Sequence, residues 1–495
     1  MPHYLNLSEL STEYISQEIS VRARVHTCRP GGSMCFVVLR DGDFTIQAIA
    51  NKKELNGSKV ETNVTEVTGG DELNKVAEAI EAVEAIKIVD SSNENVNHFK
   101  NLTKVSLESV IIVEGILVPT AKPVTATFYQ NMELKIKRWE MVSEAKPLPF
   151  QIDDVNDGGN SHRSDVLQNT RLNNRWMDLR VPVNNNIFKL QSRICEYFRQ
   201  FLLSNNFQEI HSPKLIGTKT EGGSNVFSAK YFGTDAYLAQ SPQLYKQMCI
   251  NSDMPRVFEV GPVFRAENCT THRHLCEYTG LDLEMEIKHG HDYHYVTNFL
   301  WNLLHFIVSS MHLNNAQEIE YIRSKRPFTD LIIPEDPVMI EYTVGVQMLK
   351  DAGFEQDPLQ DLSTENEREL GKLVKEQLGS DLFILDQFPL NERPFYTMPL
   401  EPGSLYSRSY DIIMRGEEIS SGAQRVNDYN LLIERITSHG INPQSLSDYV
   451  ESFSLGSKPH GGAGFGLERI LMLTLDLKNV RNTSLFPRDP KRLFP

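Results

Sequence analysis

Hydrophobic and polar positions alternate with period two near the N-terminus. In E-I-S-V-R-A-R-V-H (18–26), Ile19, Val21, Ala23 and Val25 share one face, which predicts a half-buried strand. C-F-V-V-L-R, the turn D-G-D and F-T-I-Q-A-I-A predict a hairpin over 35–50. Residues 71–89 change period: apolar residues recur at helical spacing beneath an acidic outer face. Strands resume at V-I-I-V-E-G-I-L-V (110–118) and N-M-E-L-K-I-K-R-W (131–139). Five short strands with a helix between the third and fourth predict a small barrel of the OB type, over residues 1–142. Proline and glycine clusters (K-P-L-P-F, N-D-G-G-N-S-H) predict a linker over 143–180. A larger domain is expected over 181–495. It opens with a helix near 185–204 whose stripe is Ile187, Leu190, Ile194, Tyr197, Phe198 and Phe201. Farther on, Thr364 and Glu367 predict a capping box for a helix that ends near Gly379.

Composition constrains the class of protein more than its chemistry. The chain has 495 residues, enough for two or three domains. It contains no apolar run of the roughly 18 residues a bilayer-spanning helix needs, so no membrane partner is expected. The N-terminus has neither a signal peptide's basic and apolar regions nor a transit peptide's Arg-rich character, so the cytoplasm is expected. Cys28 and Cys35 share the spacing of Cys269 and Cys276, C-x6-C, without the short knuckle of a zinc site; reduced structural thiols are expected. The net charge of -15 argues against a nucleic-acid partner only on average, because a local basic surface can sit on an acidic protein. Residues 51–100, with ten acidic and six basic side chains, are expected to face away from RNA.

Four segments concentrate charge or glycine in an apolar context. V-F-E-V-G-P-V-F-R-A-E-N (257–268) ends on Arg265 and Glu267, and T-G-L-D-L-E-M-E (279–286) places Asp282, Glu284 and Glu286 on one strand face. One such acid is a surface ion pair; three along so apolar a strand point to a site, because unpaired buried charge is costly. G-G-A-G-F-G-L-E-R (461–469) lets backbone approach a ligand closely and lacks the dinucleotide G-x-G-x-x-G spacing. T-E-G-G-S-N-V-F (220–227) reads as a loop tipped by Glu221, and in Q-S-P-Q-L-Y-K-Q (240–247) Gln243 and Lys246 share a helix face. R-G-E-E-I-S-S-G-A-Q-R (415–425) offers Glu418 and Ser421 as oxygen ligands for Mg2+, and Arg425 as a fixed cation.

The order of a strand–proline motif, the F-R-A-E strand and the G-x-G-x-G-L-E-R strand–helix resembles motifs 1, 2 and 3 of the class II aminoacyl-tRNA synthetases. The detail is similar to the cytosolic and archaeal-type aspartyl enzymes over nearly the whole chain, through the closing F-P-R-D-P-K-R-L-F-P. The resemblance implies an α+β chain: an N-terminal OB-fold anticodon-binding barrel and a catalytic domain built on an antiparallel sheet flanked by helices. It implies activation of L-aspartate with ATP and transfer to tRNA(Asp), with Mg2+, in a homodimer whose twofold interface contains Pro213. By resemblance, Arg265 holds the ATP α-phosphate and Arg469 the γ-phosphate with His274 nearby. Glu267 faces the adenine amino group, and Tyr278 stacks on adenine where the class most often has Phe. Glu418 and Ser421 ligate Mg2+, with a share from Asp411. Lys246 and Arg425 clamp the aspartate side chain; Gln243 and Ser421 contact the substrate, and Asp282 and Glu221 lie near its ammonium. Residues 268–273 reach the tRNA acceptor end. In the barrel, Phe36 stacks on an anticodon base and Gln47 reads a base edge, with Glu133 a further candidate beside them; read as a residue alone, Phe36 also admits a core role, the lesser of the two readings.

Two alternatives remain at this level. An asparaginyl enzyme shares the frame, but a second cation, Lys246, beside Arg425 suits a carboxylate rather than an amide. A non-catalytic RNA-binding paralogue would have lost Arg265, Glu418 or Arg469, and all three are present. On this reading Lys246→Glu abolishes aspartate activation and spares the fold.

Overall fold

The computed structural model describes residues 2–57, 97–156, 166–218 and 226–495. Two compact units divide at Gln151/Ile152. The first is a barrel. Strands β2 (Glu18–Gly31), β3 (Met34–Asp41), β4 (Phe44–Asn51), β5 (Val110–Pro119) and β6 (Met132–Ser143) pair in the order β2-β3-β4-β6-β5, and β5 returns to β2 to close the ring; β1 (His3–Leu5) adds to β2 outside it. The period-two pattern decides which side faces in. Ile19, Val21, Ala23 and Val25 are all buried, alternating across the ring with Cys35, Val37, Leu39, Ile46, Ala48 and Ala50. Closure requires sharp local bending, which β5 and β6 supply at a register shift between Glu114 and Gly115. A Cβ on Gly115 would sit 2.1 Å from the Lys135 carbonyl oxygen, so only glycine fits at this crossing. Helices α1 (Lys52–Gly57) and α2 (His98–Leu102) flank the gap between β4 and β5. The helix expected at 71–89 lies outside the described residues.

The second unit departs from the expected linker at once. The 143–180 segment is not all connection: α3 (Gln168–Asn173) and α4 (Arg175–Asp178) occupy its end, and Arg175 is buried against Asp178 and the carbonyls of Ser484 and Leu485. The following helix, α5 (Pro182–Ser204), starts earlier than its apolar stripe, because proline fits the first helical turn. Ile187, Leu190, Ile194, Tyr197 and Phe198 are buried as the stripe requires, and Phe201 packs on Phe299 and Phe306.

An eight-stranded sheet carries the rest. From one edge to the other it runs β13 (Met339–Glu341), β14 (Leu382–Asp386), β15 (Ser409–Met414), β16 (Glu417–Gln424), β17 (His460–Gly466), β12 (Glu277–Glu286), β11 (Arg256–Phe264) and β7 (Gln208–Glu209). Its two end pairs are parallel and the five inner pairs antiparallel. A three-stranded sheet of β8 (Leu215–Ile216), β10 (Thr234–Leu238) and β9 (Ser228–Tyr231) stands beside it. Helix α6 (Gln243–Asn251) follows, then α7 (Thr364–Leu378), and α8 (Leu467–Thr474) continues from β17. The cap of α7 is one residue earlier than expected. Ser363, not Thr364, accepts the Asn366 amide, while Gly379 ends the helix in the left-handed conformation. Glu367 closes no capping box and points elsewhere.

The centre of this sheet explains the glycine run. Across the β12–β17 pair, Asp282 opposes Gly464 and Glu284 opposes Gly462. Two carboxylates at period two thus meet two glycines at period two. A Cβ on Gly464 would lie 2.8 Å from Asp282 Oδ1, and one on Gly462 would lie 2.1 Å from the Leu283 carbonyl and 2.6 Å from Glu284 Oε2. The glycines therefore supply volume for buried acids rather than conformational freedom. Gly462→Ala is expected to cost about 1–3 kcal/mol of stability, measured by denaturant unfolding; a neutral effect would show that β12 and β17 have room to separate.

Candidate active site

A cleft of about 320 Å³ opens over β12, β17 and β16, and it gathers most of the charged residues singled out from the sequence. Gln243, Arg265, Glu267, His274, Tyr278, Asp282, Glu418, Ser421, Arg425 and Arg469 all line it. Lys246 lies beneath its floor, with no exposed surface. Glu221 lies outside the described residues. Pro213 is exposed between β7 and β8 and does not line the cleft. Phe36, Gln47 and Glu133 belong to the barrel unit.

At one end of the cleft, two cations and two acids interlock. Lys246 Nζ donates to Asp282 Oδ1 at 2.9 Å and sits 3.7 Å from Glu284 Oε2. Arg425 donates through Nε and Nη2 to Glu284 at 2.8 and 3.2 Å, and Nη2 also reaches Gln243 Oε1 and the Gly462 carbonyl. Gln243 returns a hydrogen bond from Nε2 to Glu284 Oε2 at 3.2 Å. Burial alone would raise the Glu284 carboxyl, but Arg425 and Lys246 outweigh it and hold it below the ordinary range. Glu284 was visible in the sequence only as one acid of three; here it is the hub. Glu286, the third, leaves the cluster and pairs with Lys458 at 3.2 Å. The arrangement corrects one expectation. Lys246→Glu would bury three carboxylates together, so that substitution is expected to destabilise the site rather than spare the fold.

A bulge organises the middle of the cleft. Ser421 opposes Asp411 and Glu418 opposes Ile413, with one extra residue of β16 between Ile412 and Ile413. In a regular strand, residues three apart face opposite sides; the extra residue puts Glu418 and Ser421 on the same one. Asp411 is held bidentately by Arg393 at 2.8 and 3.0 Å, and Arg393 also donates to Ser421 Oγ at 2.9 Å. Burial raises the Asp411 carboxyl to about 7, with Arg393 opposing and Glu418 adding to the rise. Arg393, from a segment without obvious motif character, is a residue that sequence reasoning missed.

The far end explains Glu367. Its two oxygens accept separately: Oε1 from the Glu418 backbone amide, Oε2 from Arg273 Nη1 at 2.8 Å. Arg273 also donates to Thr364 Oγ1 at 3.0 Å. The helix start that looked like a capping box therefore anchors both the loop after β11 and the bulged strand. Arg469 donates to the Glu418 carbonyl at 2.7 Å and to the Arg273 carbonyl at 3.3 Å, tying α8 to the same point. Arg265 lies 5.8 Å from the Tyr278 ring centre. His274 is pushed down to about 4, first by burial and then by Arg469 and Arg273. It is therefore neutral at physiological pH, with Nδ1 2.6 Å from Thr271 Oγ1.

The cleft thus pairs a charge-matched pocket with a second region rich in fixed cations on an antiparallel sheet. Residues 167–490 match the family of class II tRNA synthetases (D, K and N). The chain belongs to that family. Along 99% of its length it is 42% identical to the cytoplasmic aspartate–tRNA ligase of Rattus norvegicus, of which it covers 91%. The aspartyl-tRNA synthetase structure from Entamoeba histolytica aligns over the whole chain and 93% of its own, with 38% identity and a TM-score of 0.84. An asparaginyl-tRNA synthetase from Pyrococcus horikoshii, solved with asparaginyl-adenylate, aligns over both full chains at 25% identity and a TM-score of 0.79. In this synthetase, the sign of the His274 shift makes a prediction. A depressed imidazole stabilises the fold above pH 6.5, its ordinary value, and the contribution is lost as pH falls toward 4. An NMR titration of the free protein is expected to place His274 near 4, and His274→Gln to flatten the stability profile between those values. Titration near 6.5 would contradict the packing described.

Proposed function

We propose that this chain is an aspartate–tRNA ligase, which activates L-aspartate with ATP to aspartyl-adenylate and transfers it to the 3′ end of tRNA(Asp). The observation that carries the choice of amino acid is the Lys246–Asp282–Glu284–Arg425 cluster. Its charges cancel internally, yet Arg425 keeps Nη1 without a hydrogen-bond partner among the described residues, at the cleft wall. A guanidinium edge backed by a lysine recognises a carboxylate; an amide would leave a desolvated cation poorly matched. The identity to aspartate–tRNA ligases over nearly the full length supports aspartate over asparagine. The relatives from Rattus norvegicus and Arabidopsis thaliana are named cytoplasmic, and we place this chain there too. No helix of the described residues is long and apolar enough to cross a membrane.

In this reading the aspartate α-carboxylate attacks the α-phosphorus of ATP, and pyrophosphate leaves. Arg265 holds the α-phosphate and Arg469 the γ-phosphate, where their fixed charge stabilises what develops in the transition state. Neutral His274 adds a hydrogen bond without a second full charge. Tyr278 and Glu267 take the adenine ring and its amino group, Gln243 and Ser421 contact the amino acid, and Asp282 with Glu221 faces its ammonium. Glu418 and Ser421 would hold Mg2+, since both present hard oxygen donors on one sheet face. An ion bound there would neutralise phosphate charge. The adenylate carbonyl is then attacked by the ribose hydroxyl at the tRNA 3′ end, with AMP leaving, and residues 268–273 border that approach.

The barrel supplies the tRNA reading. Phe36 and Gln47 face outward between buried neighbours, so Phe36 is not a core aromatic. They occupy adjacent strands on one face, and Gln47 Nε2 bonds Glu133 Oε2 at 3.0 Å across the β4–β6 pair. A stacking ring beside an amide and an acid suits unpaired bases. The homodimer belongs to the same reading, with Pro213 exposed just after β7, an edge strand of the large sheet.

Two assays separate the halves. Pyrophosphate exchange is expected with aspartate and not with asparagine, and Arg425→Gln should lower kcat/KM for aspartate about 100-fold or more. Exchange with asparagine alone would overturn the assignment. Phe36→Ala should raise KM for tRNA(Asp) about tenfold while exchange is unchanged; unchanged charging would remove the barrel from recognition.

A further inference from the structure

Two cysteine pairs share one spacing in the sequence but not one environment. Cys269 and Cys276 point apart: the first sits 3.8 Å from His274 Nδ1 and the second 3.8 Å from the Glu267 carbonyl. Cys28 and Cys35 instead meet, Sγ to Sγ, at 3.4 Å. No other two of the six sulfurs are in contact. The meeting follows from register. Cys28 opposes Val37 and Cys35 opposes Pro30 on the antiparallel strands β2 and β3, so the two thiols are diagonal neighbours, on the face that fills the barrel. Cys35 is fully buried in the core; Cys28 is partly exposed and also lies 3.6 Å from the Leu102 carbonyl of α2.

We propose that Cys28 and Cys35 form a reversible dithiol that hydrogen peroxide closes to a disulfide, and that closure weakens tRNA binding by the barrel. The second half rests on the anticodon reading given above. The sulfurs need to close by about 1.4 Å to reach the bonded distance of about 2.0 Å. Roles divide by exposure and acidity. The hydrogen bond from Cys35 lowers the Cys28 thiol while Cys35 itself is pushed up, which makes Cys28 the attacking sulfur. Cys28 thiolate attacks the peroxide, forming S–O and breaking O–O; the expelled hydroxide takes a proton and leaves as water. Cys35 sulfur then attacks the sulfenic sulfur, forming S–S and breaking S–O, and a second water leaves. Two thiols lose two electrons and two protons; the peroxide is reduced to water. A cellular thiol reverses the bond by exchange.

The consequence lies on the other side of the same strands. Arg29 and Phe36, the chain neighbours of the two cysteines, are register partners of each other. Drawing the sulfurs together inside the barrel shifts the pair that carries Phe36 outside it.

The test uses the full-length protein, hydrogen peroxide and differential alkylation with peptide mapping. A cross-linked peptide joining Cys28 to Cys35, removed by dithiothreitol, is expected. Independent alkylation of both, or Cys28 joined to a different cysteine, overturns the site. Cys28→Ser, whose exchange activity should be unaltered, is the functional control, and Cys35→Ala repeats it should serine prove poorly folded. Oxidation should raise the tRNA KM of the unsubstituted protein about fivefold or more and leave Cys28→Ser unmoved. A disulfide that forms without changing charging overturns the coupling. Phe36→Ala without oxidant reports separately on whether the barrel reads tRNA.

Discussion

Four charges buried together under a glycine-lined strand set the terms for this active site. Lys246, Asp282, Glu284 and Arg425 are each less than a tenth exposed. Isolating any one of them would be costly, whereas as a set each has an opposite charge within hydrogen-bond or ion-pair distance. The neighbouring sheet is shaped around them. Gly462 and Gly464 cannot carry side chains because the acids of β12 occupy that space, and Gln243 and Lys246 lie one turn apart on α6 to reach the same acids. A network that must stay neutral is also a preorganised receptor: charge is already placed and desolvated before a substrate arrives.

The cation-rich end of the cleft solves a different problem, holding several guanidinium groups in fixed positions. Backbone and second-row carboxylates do this. Glu367 spends one oxygen on Arg273 and the other on the Glu418 amide, while Glu417 accepts from Arg368 and lies 2.8 Å from His272. Arg469 is anchored through carbonyls, which orient its guanidinium, with a Glu418 carboxylate oxygen 3.8 Å from Nη1. Burial raises the Glu367 carboxyl although Arg273 opposes the rise, which marks how little solvent reaches this junction.

Much of this was legible from sequence. Strand periodicity read the barrel correctly because alternate residues of its strands fill one core, and the motif residues described in the structure converged on one cleft because they sit on central strands or just beside them. What was not legible depended on long-range geometry. Arg393 lies in a loop with no local pattern, and its partnership with Asp411 requires β15 to fold back beneath it. Glu367 fits a capping pattern locally; only tertiary structure shows that its carboxylate is used elsewhere. The bulge that turns Glu418 to the side of Ser421 leaves no trace in composition. The alternating glycines and acids were both visible, but their complementarity appears only once β12 and β17 are placed side by side.

On this reading the buried cluster selects a carboxylate. A crystal structure with a non-hydrolysable aspartyl-adenylate analogue tests it most directly. The side-chain carboxylate should lie within hydrogen-bond distance of Arg425 Nη1 and close to Lys246, with Glu284 still bound to Arg425. A bound aspartyl group whose carboxylate contacts neither cation, or one seated only after the Arg425–Glu284 pair has come apart, would contradict the account.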